Sequence, residues 1–78
     1  MDSDRLVKMA NQIGDFFAAM PDRQEALDGI ATHIRKFWEP RMRRQIYRHL
    51  DEAQGEGLQP IVLEALKAQR AALEPVAA

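Results

Sequence analysis

Proline and glycine cut this chain into four pieces, and each piece repeats its apolar residues at intervals of three and four. Pro21, Pro40, Pro60 and Pro75, with Gly55 and Gly57, mark the breaks. Spacing of three and four gathers side chains on one face of an α-helix. Proline and glycine at the joints end one helix and open the next. No segment alternates with the period of two that a strand needs. The chain has 78 residues, which sets it as one domain with a small core. The expected fold is all-α, a small bundle of three to four short helices.

The first helix is expected from about Asp4 to Ala19, with Ser3 as N-cap. Leu6, Met9, Ala10, Ile13, Phe16, Phe17 and Met20 share its apolar face. Ala10, Gly14 and Ala18 form a strip of small side chains beside that face. Such a strip admits another backbone closely, either from a partner helix or from within this protein, and internal packing is the preferred reading. The second helix starts at the capping-box pattern Asp22-Arg23-Gln24-Glu25 and runs to about Phe37. A sharp corner follows at Phe37-Trp38-Glu39-Pro40, because a residue before proline leaves the helical region. The third helix spans about Pro40 to Ala53, with Met42, Ile46, Leu50 and Ala53 inward. Residues 1–54 thus read as a three-helix core, folded around Ile13, Phe16, Phe17, Leu27, Ile30, Ile34, Phe37 and Met42. Residues 55–78 read as a flexible glycine break, a C-terminal helix from Pro60 to Leu73 with a weaker core signal, and a frayed tail at Val76-Ala77-Ala78.

The net charge is -1, but it is unevenly placed. Between His33 and His49 lie Arg35, Lys36, Arg41, Arg43, Arg44 and Arg48 against one acid, Glu39. On a helical wheel Arg41, Arg44 and Arg48 gather opposite the apolar stripe, while Arg43 and Tyr47 flank it. Two readings stand: a basic patch that meets an anionic surface, or a solvated helix face. The chain has no Cys, which removes disulfides and thiolate metal sites and suits a reducing cytoplasm. Its start is acidic and no apolar run approaches the roughly 20 residues of a membrane span. The expectation is a soluble cytoplasmic protein.

Catalytic signals are weak. Besides Tyr47 the only hydroxyls are Ser3, read as a cap, and Thr32, inside a helix. His33 and His49 sit on different helices without metal-ligand spacing, and read as structural side chains. No glycine-rich loop follows a strand. What remains is the aromatic corner and the arginine set. Trp and Arg are enriched at interface hot spots. Trp38 is either a core residue or, if its edge reaches the surface beside Arg41, an anchor for a partner.

Two stretches carry a family resemblance. They are Leu6-Val7-Lys8-Met9-Ala10-Asn11-Gln12-Ile13-Gly14-Asp15-Phe16-Phe17 and His33-Ile34-Arg35-Lys36-Phe37-Trp38-Glu39-Pro40-Arg41-Met42-Arg43. Together they resemble the delta subunit of bacterial NAD-dependent formate dehydrogenases. The resemblance covers about residues 5 to 50, and the tail beyond Gly55 matches no such pattern. It implies an accessory, non-catalytic, cytoplasmic subunit of a molybdenum or tungsten complex. That complex carries bis-molybdopterin guanine dinucleotide and iron–sulfur clusters on its alpha subunit, with FMN and NAD sites on others. The delta subunit is expected to hold no cofactor itself and to assist assembly, stability or cofactor insertion by docking on the alpha subunit. Asn11, Gln12, Trp38, Arg41, Arg43, Arg44, Tyr47 and Arg48 are the candidate partner-binding residues. Neither nucleic acid nor membrane is expected as a partner.

Two other classes compete. Short helices meeting at a corner, with arginines on the second, are similar to a helix-turn-helix DNA-binding unit. The isoelectric point near 6.1 and the placement of Pro40 in the supposed recognition helix weigh against it. A free-standing homodimeric cofactor chaperone is the other.

Overall fold

The computed structural model describes residues 2–75. Five helices follow one another: α1 Ser3–Phe17, α2 Arg23–Phe37, α3 Pro40–Ala53, α4 Pro60–Ala68 and α5 Arg70–Leu73. No strand occurs among the described residues, so the all-α expectation holds. No described helix is long and apolar enough to cross a membrane. The expected frayed tail, Val76 to Ala78, lies outside the described residues.

Helix starts follow local chemistry. Asp2, not Ser3, caps α1: its Oδ1 accepts the Arg5 N–H at 2.8 Å, and Ser3 becomes the first helical residue. Both residue types cap well, but Asp adds a negative charge at the positive end of the helix dipole. Asp22 caps α2 through the Gln24 N–H at 2.9 Å, one residue earlier than the capping-box pattern implies. Pro40 and Pro60 stand at the first positions of α3 and α4, where no N–H is missed.

The core departs from the expectation in two ways. First, Phe16 and Phe37 are outside it, 74 % and 70 % exposed, while Ile13, Phe17 and Met42 are partly buried against it. Leu6, Ala10 and Gly14 form the buried line of α1, and Phe16 lies about a third of a turn away from it. Trp38 follows Ile34 inward by one helical turn, so its neighbour Phe37 is turned outward. Second, the C-terminal segment is not an appendage. Leu58, Val62, Ala65, Leu66 and Leu73 are all buried in the same cluster as Leu6, Leu27, Ile30, Ile34 and Ile46. Helix α4 lies against both α1 and α2, so it completes the bundle. Its pattern reads weakly because two of its neighbours are helices, leaving little polar face to contrast with the apolar one. It also ends early: Gln69 turns out of the helical region (φ -110°, ψ 22°), splitting the expected single helix into α4 and α5.

Gly14 explains how α4 approaches so closely. A Cβ placed there would stand 2.6 Å from Val62 Cγ2, with Val62 itself fully buried. Within the small-residue strip, Ala10 and Gly14 serve internal packing, whereas Ala18 is exposed. Gly14→Leu is expected to destabilise the fold by about 1–3 kcal/mol through overpacking. That loss arises despite the roughly 1 kcal/mol that a better helix former than glycine adds. Urea unfolding of the two proteins measures the difference.

The break between α3 and α4 is clamped. Gln54, Gly55 and Gly57 all take left-handed φ values of 57°, 69° and 89°. At Gly55 a side chain would also strike Leu63. Asn11 of α1 reaches across, donating from Nδ2 to the Gly57 carbonyl at 2.9 Å and accepting the Gln59 N–H on Oδ1 at 2.9 Å. The His49 ring pairs with the Glu56 carbonyl at 2.8 Å, and Gln59 Nε2 donates to Asp15 at 2.7 Å.

Candidate interaction surface

The structure separates the candidate residues into an inner and an outer group. Tyr47, Trp38, Arg43 and Asn11 are inner. Tyr47 is fully buried, and its hydroxyl donates to the Leu66 carbonyl at 2.7 Å. Leu66 sits in the last turn of α4, where carbonyls lack an intrahelical partner. Burial holds the Tyr47 phenol protonated well above the usual range. Trp38 is only 5 % exposed, so of its two readings the core one applies. Arg43 Nη1 donates to the Leu73 carbonyl at 3.1 Å and closes α5, while its Nε is buried without a partner among the described residues. Asn11 holds the α3–α4 break, as described. Tyr47, Arg43 and Asn11 spend hydrogen-bonding groups on the fold, and Trp38 spends most of its surface in the core.

Beside Tyr47, Arg70 ties α5 to α3. Its guanidinium lies 5.0 Å from the Tyr47 ring centre and pairs with Asp51 and Glu74, each at 2.6 Å. The hydrogen bond from Arg70 lowers the Asp51 pKa, and the bonds to Asp51 and Glu74 raise that of Arg70.

The outer group is Arg41, Arg44, Arg48 and Gln12, all exposed. Spacing of three and four puts the three arginines on one face of α3, where with Gln45 and Ser3 they line a shallow recess. Arg48 approaches Glu52 at 3.6 Å, a loose exposed pair. Arg41 and Arg44 make no ion pair among the described residues. Their charge is therefore uncompensated locally, in the planar, bidentate form that suits carboxylate or phosphate.

A second outer feature was not among the candidates. Phe16, Phe17, His33 and Phe37 form a row across α1 and α2. Ring centres are 5.0 Å apart from Phe16 to Phe17, 6.4 Å from Phe17 to His33, and 4.7 Å from His33 to Phe37. Met9, Gln12, Ile13 and Trp38 complete a groove alongside the row. A signal lies in the doublets Phe16-Phe17 and Phe37-Trp38: consecutive helical side chains stand about 100° apart, so the two members of a doublet need not share one interior.

No group of three His, Asp or Glu side chains among the described residues is placed to hold a metal ion. Ser3 opens a helix, and Thr32 lies exposed on α2.

Residues 5–66 match the family described as the NADH-dependent formate dehydrogenase delta subunit, FdsD. The match runs past Gly55 and through most of α4, consistent with α4 being part of the bundle. No curated protein and no solved structure matches the chain. The match spans 62 of the 78 residues, and the chain belongs to the family of formate dehydrogenase delta subunits.

Proposed function

We propose that this chain is a non-catalytic, cytoplasmic subunit that docks on the alpha subunit of an NAD-dependent formate dehydrogenase. There it supports assembly, stability or insertion of the bis-molybdopterin guanine dinucleotide, while holding no cofactor itself. The observation that carries this reading is the exterior of α3: three guanidinium groups on one face, two of them without an ion pair. Such a face recognises an acidic patch or phosphate groups, and it steers the encounter between subunits. Membership of the delta-subunit family supplies the complex in which that partner is found.

The test is a tagged copy expressed with the whole complex. Wild-type chain is expected to co-purify with a large assembly containing iron and molybdenum or tungsten. Arg41→Glu, Arg44→Glu and Arg48→Glu combined are expected to weaken that association roughly tenfold or more, about 1.4 kcal/mol. Arg41 lies in the first turn of α3, where an acidic residue favours the helix dipole, so its replacement does not undermine the helix. Unchanged association and unchanged formate oxidation in the triple variant would remove the arginine face from the mechanism.

A further inference from the structure

The two helices of the C-terminal segment are held to the bundle by different means. In α4, Val62, Ala65 and Leu66 are fully buried, and Gly14 lets the helix lie against α1. In α5 only Leu73 is buried, while Ala71 and Ala72 are exposed. The remaining ties of α5 are polar. Arg70 donates to both carboxylate oxygens of Asp51, at 2.9 and 2.6 Å, with its guanidinium against the Tyr47 ring. Arg43 reaches the Leu73 carbonyl. The Arg70–Glu74 pair lies within the segment, so it braces α5 without fastening it to the bundle.

A joint separates the two helices. The Gln69 backbone leaves the helical region, and its N–H closes α4 on the Ala65 carbonyl. The bonds that turn α5 run from Ala72 and Leu73 to the Gln69 carbonyl, and from Glu74 to the Arg70 carbonyl. All of these stay inside the segment, so α5 can move as a unit without breaking them. A single turn gains little from its own backbone bonds, so α5 depends on its attachments. The side chains of Arg70 and Asp51 are 37 % and 54 % exposed. An ion pair so exposed contributes little, and salt screens it. A segment with one buried apolar side chain and exposed polar ties is among the first to open. The family match also ends at residue 66, before α5 begins.

We propose that residues 69–75 form a latch that swings open at Gln69 while α1 to α4 stay folded, and that Arg70 is its pin. Opening draws Leu73 out of the core and lifts the guanidinium from the Tyr47 ring. It also empties the seat that Leu73 and Ala72 share with Ala31, Thr32 and Arg35 of α2. Access to that end of the bundle is set by the charges around Arg70, namely Asp51 and Arg43 on α3 and Glu74 beside it. The latch does not rest on the docking reading, and it operates in the isolated chain.

Hydrogen exchange of the full chain, followed by mass spectrometry, tests it. The amides of residues 70–74 are expected to exchange roughly tenfold faster, or more, than those of α4. Arg70→Gln is expected to speed them by a further factor of about 3–10, with the melting temperature and the exchange of α1, α2 and α3 unchanged. Raising the ionic strength to about 1 M shortens the screening length to about 3 Å. That change is expected to move the wild type toward the variant and to leave the variant in place. Equal exchange in α4 and α5 overturns the proposal. So does an Arg70→Gln protein that exchanges faster in every helix, or one whose α5 exchanges as the wild type does. A salt response shared equally by both proteins removes Arg70 as the pin. If Arg70→Gln melts early, α5 is a fixed part of the bundle and the proposal falls.

Discussion

Tyr47→Ala is expected to unfold a large part of the population at 37 °C. Tyr47 is the largest fully buried side chain of the described residues, and no solvent reaches the space it fills. Truncating a buried aromatic to alanine costs about 3–5 kcal/mol in lost transfer energy and residual cavity. A chain of this length has about 4–12 kcal/mol of total stability. Tyr47→Phe divides the effect. It keeps the ring and removes only the donor to the Leu66 carbonyl, at a cost of about 1–3 kcal/mol if that acceptor stays buried. The phenol also gives a pH signature. In the unfolded chain it ionises near about pH 10, whereas burial raises its pKa in the folded protein. The folded state therefore keeps the proton longer. The contribution is complete below about pH 10 and declines as the pH rises above it. Urea unfolding between pH 8 and 11 is expected to show an alkaline loss of stability that Tyr47→Phe lacks.

Trp38→Ala is expected to be of similar size, about 3–5 kcal/mol. In a domain this small that corresponds to a melting temperature lower by on the order of 10–40 °C. Trp38 is 5 % exposed and belongs to the central cluster, while its neighbour Phe37 is 70 % exposed. Phe37→Ala is therefore the control, expected to change stability by about 0.5 kcal/mol or less. Thermal melts followed by circular dichroism separate the two. A Trp38→Ala protein that melted like wild type would contradict its placement in the core. Because the chain has one tryptophan, the wild type also reports its own unfolding by a red shift in emission.

What could be read from the sequence was what neighbouring residues decide. Pro40 and Ala53 bound α3 in the structure as the pattern around Glu39-Pro40 and Gln54-Gly55 implies. Asp22 starts α2, and the small residues Ala10 and Gly14 meet another helix. What could not be read was decided by distant groups. Asn11 reads as a polar residue on the outer face of α1, and Arg43 and Tyr47 as flanking the apolar stripe of α3, patterns that suit a partner surface as well as an interior. Their hydrogen-bond partners lie 46, 30 and 19 residues away, so no local pattern separates the two uses. The same holds for the aromatic doublets. Periodicity puts Phe16 with Phe17, and Phe37 with Trp38, on a broad apolar arc. How α1 and α2 pack settles which member is covered: Phe17 lies over Gly29 and beside His33, and Trp38 borders Met9 and Ile13. Of the expected partner-binding set, Arg41, Arg44 and Arg48 stand together outside, and the exposed face on α1 and α2 came from residues assigned to the core.

The clamped connection between α3 and α4 bears on how the chain meets other molecules. Asn11 fastens its second half at Gly57 and Gln59, and His49 holds its middle at Glu56. Gln54, Gly55 and Gly57 in left-handed geometry leave it a fixed corner, where a swivel would have let the last helices swing away. Recognition then begins from a shape already present before encounter. Little motional freedom has to be surrendered when a neighbour arrives, so even a modest footprint on so small a body can yield durable attachment.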